Sequence, residues 1–146
     1  MRVLTTFMAC MAVLCGCTTA HRSLMTEVHG GIWSEPAVVT LTNSDTTGFY
    51  DLRIALWHDA LTEGTKANIM VRTETPDSLW VEEPLVLTVA DDGRSRSSGH
   101  ETSCIYRRSV RLVREGDYRI ILTPVSPLRG IRAVGIDLEP SAAQGR

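Results

Sequence analysis

Aromatic residues are scarce in this chain, at 5% of 146 positions, and lysine occurs once, as Lys66. So few rings count against a sugar-binding platform, which needs several of them aligned on a concave face. Neither sign of charge is in excess: the formal net charge is −2, and broad electrostatic attraction to nucleic acid is not expected. No segment reaches the roughly 20 apolar residues that a spanning helix requires. Of the four cysteines, Cys10, Cys15 and Cys17 crowd the start, which leaves Cys104 alone and excludes a disulfide framework. His21, His29, His58 and His100 are scattered, without the spacing of a metal site. No serine sits in a G-x-S-x-G elbow. Neither an enzyme nor a cofactor is expected.

What is present begins with an address. Met1-Arg2 places one positive charge ahead of the apolar run Val3 to Leu14, and Leu14-Cys15-Gly16-Cys17 follows. A charged start, a run too short to span and a small-residue site make a secretory signal. The four residues Leu14 to Cys17 resemble the bacterial lipobox. On that resemblance Cys17 takes a thioether-linked diacylglyceryl group, cleavage falls between Gly16 and Cys17, and the new amino group is acylated. Cysteine suits the step because a thiol reaches its reactive anion far more readily than a hydroxyl. Two alternatives compete: a C-x-C metal pair, which wants further ligands close by, and an unmodified cut, which would leave an odd thiol. Two acyl chains suffice for lasting attachment, so the protein is expected to sit on a membrane through residue 17. Thr18, rather than Asp, resembles the outer-membrane sorting signal. No acidic cluster of the surface-export kind follows, so a periplasm-facing outer-membrane position is expected.

The remaining chain suits one domain. Residues 1–16 read as signal peptide, 17–27 as a polar tether, 28–139 as the domain and 140–146 as a disordered tail. Within the domain, short segments rich in Val, Ile, Leu and Thr alternate with turn residues, a strand pattern. In Phe49 to His58, Tyr50, Leu52, Ile54 and Leu56 share one parity, while Asp51 and Arg53 take the other. Tyr118, Ile120 and Leu122 repeat the pattern, as do Val134, Ile136 and Leu138. Further strands are expected over Ala37–Thr42, Ala67–Glu74, Pro84–Asp91 and Ser103–Val113, with hairpin turns at Asp91–Gly93 and Glu115–Asp117. Seven or eight such strands predict an all-β fold, an antiparallel β-sandwich of Greek-key or jelly-roll type.

The domain resembles the gliding-motility lipoproteins of the Bacteroidetes, the GldH type. The residues that carry this are the lipobox, Trp33, the Y-x-L-x-I-x-L strand Tyr50 to Leu56, the G-x-Y-x-I-x-L strand Gly116 to Leu122, and the run Leu128 to Leu138. It departs from that pattern at Trp57-His58, at the segment after them, and over Pro124 to Pro127. The resemblance implies a non-catalytic accessory lipoprotein whose partners are envelope proteins of the gliding or type IX secretion machinery.

The most informative polar feature is an arginine-rich strand. Arg107 and Arg111 share a parity, with Tyr106 beside them, so one sheet face is expected to display guanidinium groups. That is a solvated outer face, or a docking surface for an acidic protein patch, an anionic lipid headgroup or a glycan phosphate. Trp33, Trp57 and Trp80 are expected as core or inter-sheet filler, with Trp57 the one to examine for exposure and partner binding. His58-Asp59, at a strand end, is the best metal pair on offer and Cys104 near His100 the best nucleophile pair; neither is expected as a site, and a small buried hydrophobe explains Cys104 as well. A carbohydrate-binding envelope module is the competing reading.

Overall fold

The computed structural model describes residues 21–59, 61, 64–89, 95–96 and 99–142. The signal peptide and Cys17 lie outside them. In chain order the strands are β1 (Arg22–Glu27), β2 (Ile32–Trp33), β3 (Ala37–Asn43), β4 (Tyr50–His58), β5 (Lys66–Glu74) and β6 (Trp80–Thr88). Then follow β7 (Ser95–Arg96), β8 (Gly99–Val110), β9 (Gly116–Pro124), β10 (Leu128–Arg129) and β11 (Ile131–Pro140).

Alternation dictates the layering. A strand with apolar residues at every second position has one dry face, and two such faces close on each other. One sheet runs β1-β11-β4-β8-β7 and the other β3-β9-β5-β6, with every pairing antiparallel. Between them lie Leu52, Ile54 and Leu56 of β4, Val134, Ile136 and Leu138 of β11, and Ile120 and Leu122 of β9. Each fully buried Leu or Ile stabilises the fold by about 1.5–3 kcal/mol relative to exposure. The protein is an antiparallel β-sandwich.

Both long edges of the sandwich are laced from sheet to sheet. On one, Thr26 of β1 donates through Oγ1 to the Val38 carbonyl of β3 at 2.8 Å, and Arg22 donates to the Thr42 carbonyl at 2.9 Å. On the other, Glu83 of β6 accepts from both Tyr106 and Arg107 of β8.

Several boundaries differ from the sequence expectation. Arg22–Glu27, expected as part of the tether, pair residue for residue with β11 from Leu138 to Ala133. At the far end Pro140 still pairs with Tyr50, and the buried Ser141 donates its N–H to the Phe49 carbonyl at 2.9 Å. The ordered sheet thus takes in the first residues assigned to the tail; residues 143–146 lie outside the described residues. β6 begins at Trp80 rather than Pro84. Glu115–Asp117 is no hairpin: β8 and β9 belong to different sheets, and the segment carries the chain between them. The turn at Asp91–Gly93 lies outside the described residues.

Candidate docking surface

The parity argument for Arg107 and Arg111 fails for a local reason. Along β8 the register against β4 slips twice, between Ile105 and Arg107 and again between Arg107 and Val110. Each slip is an extra residue on β8, a β-bulge that re-aims the side chains after it. Ser109 sits at φ 51, and its N–H donates to the Asp51 carboxylate at 2.8 Å. After the first slip Arg107 lies opposite the buried Leu52, so it turns toward the inter-sheet side with Tyr106. The strand ends at Val110, which leaves Arg111 on the connecting segment and off the sheet face. The expected row of guanidiniums on one strand does not form.

What forms instead is a clasp. The Tyr106 hydroxyl and the Arg107 guanidinium both donate to the Glu83 carboxylate, and Arg107 lies over the Tyr106 ring at 4.6 Å. The bonds from Arg107 and then Tyr106 hold the Glu83 carboxyl below its ordinary range. Burial, reinforced by Glu83, pushes the Tyr106 hydroxyl up to about 12.

Val110, Leu112 and Val113 on one side face Leu79 and Val81 on the other across an apolar groove of about 400 Å³ whose floor reaches Leu138. That size falls within the usual range for small-molecule clefts. The walls are built locally. Thr75 accepts from Ser78 N–H at 3.0 Å and donates N–H to the Leu79 carbonyl at 2.8 Å, a tight turn that lifts Leu79 to 66% exposure. Opposite, the buried amide of Asn43 donates to the carbonyls of Leu112 at 3.0 Å and Arg114 at 2.8 Å, which fixes the 111–114 segment. Arg107, Arg111 and Arg114 line the groove together with Asp77. Arg114 lies 3.4 Å from Asp77 and Arg107 is committed to Glu83. Among the described residues no carboxylate lies within ion-pair distance of Arg111.

Trp57 is not part of this arrangement. It pairs with Glu101, whereas Arg107 lies opposite Leu52. From position 101 to position 107, at about 3.4 Å per residue, is roughly 20 Å. Half-buried, Trp57 lines a shallower cleft with Val28, Asp59 and Arg132. Trp33 is core at 2% exposure, as expected. Trp80 is not: it is 60% exposed at the start of β6, with the Arg72 guanidinium over its ring at 4.4 Å.

Neither candidate reactive pair assembles as a site. Cys104 packs against the core beside Ile54, and burial pushes its thiol up. His100 lies at the far end of β8, four positions or about 13 Å away along the strand, stacked on His58 at 5.9 Å. His58 is itself buried and committed. Its Nδ1 lies 2.5 Å from the Asp59 carbonyl, which only accepts, so the proton sits there; Nε2 lies 2.9 Å from the Thr102 hydroxyl. Among the described residues no three His, Cys, Asp or Glu side chains gather as a metal site would require. Asn43 and Glu83, which position the groove and the clasp, carried no signal in the sequence beyond being polar. No protein-family model matches the chain, and no curated protein matches it.

Proposed function

We propose that the protein is a non-catalytic, lipid-anchored accessory component of the bacterial envelope, held through Cys17 and acting by docking to envelope proteins. The gliding-motility and type IX secretion kind of lipoprotein is the nearest description. The observation that carries this reading is the position of β1. The sheet starts at Arg22, five residues after the lipobox cysteine, so lipid and folded body would be joined by a link of at most about 17 Å. The spent hydrogen bonds of His58 and the raised thiol of Cys104 favour docking over turnover. Trp33 buried, Trp57 half-buried and Trp80 stacked under Arg72 do not line up as a sugar-binding platform.

Metabolic labelling with palmitate tests the anchor. Wild-type protein takes up label and Cys17→Ser does not; unlabelled wild type, or equal labelling of both, would remove the reading. Affinity capture of the intact protein from membranes then tests the partner class. Glycan retention without any envelope protein would favour the carbohydrate-binding alternative.

A further inference from the structure

The arginine-lined groove and the chain's entry point share one end of the sandwich. Arg22 pairs with Leu138, Leu138 with Leu52, and Leu52 with Arg107. Arg22 also bonds the Thr42 carbonyl, whose residue pairs with Asp117 near the start of β9. Glu74 and Trp80 close the same end on β5 and β6. A lipid on Cys17 would therefore tether the body by the end that carries the groove.

That end is built for an amphiphile. Leu79, Val81 and Val113, 52–66% exposed, stand at the mouth of the groove, while Trp80, 60% exposed, takes the other face of β6 at the same end, stacked with Arg72. Exposed apolar residues are unremarkable singly; grouped around a dry cleft they mark a binding surface. An exposed tryptophan at the same end of the sandwich suits a membrane–water boundary. The charges at the rim fix the sign of the headgroup. Asp77 offsets Arg114 and Glu83 offsets Arg107, while among the described residues Arg111 has no ion-pair partner. A neutral acyl anchor has no use for that charge; an anionic lipid does.

We propose that this groove takes an acyl chain of an anionic membrane lipid, with the headgroup held at the Arg111 side of the rim, so that the groove end faces the bilayer. The orientation rests on the Cys17 anchor proposed above. The match between groove and lipid does not.

Full-length protein on phosphatidylcholine vesicles, carrying a phosphatidylglycerol probe with a diazirine in its acyl chain, separates the two. Light-dependent adducts are expected on Leu79–Val81 and Val110–Val113. They should fall roughly five-fold in Arg111→Ala, or when a phosphatidylcholine probe replaces the anionic one, as one arginine near an anionic surface warrants. Leu79→Asp, a change at an exposed position, should suppress them too. Adducts that are absent, concentrated at the opposite end near Val125, or equal for the two probes would overturn the proposal. Adducts that appear only in Cys17→Ser would also overturn it, because the protein's own anchor would then be the occupant. Palmitate labelling reads the anchor separately, so either claim can fail alone.

Discussion

The two ends of the sandwich are closed by opposite means. At the end holding His58, polar groups knit the chain shut. His58 reaches Asp59 and Thr102, the Asp59 N–H donates to Gly130, the Gly130 N–H donates to Gly31, and Trp33 donates through Nε1 to the Glu35 carbonyl at 2.9 Å. Buried polar groups cost stability unless bonded, and the buried His58 ring finds a partner at each nitrogen, although a cleft lined by Trp57, Asp59 and Arg132 opens at the same end. At the end holding Arg111, one buried amide, Asn43, fixes the connecting segment, and the apolar walls above it stay uncovered. The same core thus supports one end tied by polar bonds and one that opens as an apolar groove.

Mutations should separate these roles, and the largest effect belongs to the His58 end. Trp33→Ala removes a side chain that is 2% exposed and should cost about 3–5 kcal/mol in chemical denaturation. Asn43→Ala leaves the Leu112 and Arg114 carbonyls without their donor. It should cost about 1–3 kcal/mol and speed amide exchange over residues 111–114 more than at His58. Equal exchange at both ends would break the distinction.

The clasp predicts a pH signature. Burial and Glu83 raise the Tyr106 hydroxyl from 10.0 to about 12 in the folded protein. A raised folded value favours the protonated form, so its contribution is complete below pH 10 and is lost as pH climbs toward 12. Glu83 is shifted the other way, so its contribution is present above its ordinary 4.5 and lost as pH falls below that. Tyr106→Phe should cost about 0.5–1.5 kcal/mol at neutral pH and flatten this residue's part of the alkaline loss in thermal melts. The smallest effect on the fold is expected from Arg111→Ala, within about 0.5 kcal/mol of wild type, because among the described residues it has no ion-pair partner.

The sandwich was legible wherever alternation is strict. Leu52, Ile54 and Leu56, Ile120 and Leu122, and Val134, Ile136 and Leu138 all face the core as their parity demands. β1 was illegible because two of its three inward positions, Arg22 and Thr26, are polar and bond β3 carbonyls instead of filling space. The first residues of β6 were illegible because Trp80, Val81 and Glu82 are all exposed at an edge, where no burial enforces a period. The arginine face was misread for a subtler reason. Parity counts positions, and two extra residues on β8 reset the count. The bulge at Ser109 has positive φ without a glycine to announce it.

Orientation on a membrane tests the contrast between the ends most directly. Single cysteines at Val113, beside the groove, and at Val125, at the His58 end, would each carry a fluorophore in the full-length protein on anionic vesicles doped with a bilayer-embedded quencher. A Cys104→Ser background confines the label, and both sites are exposed, at 55% and 65%. Strong quenching at position 113 with little at position 125 is the predicted result; equal quenching, or the reverse order, would contradict a membrane-facing groove.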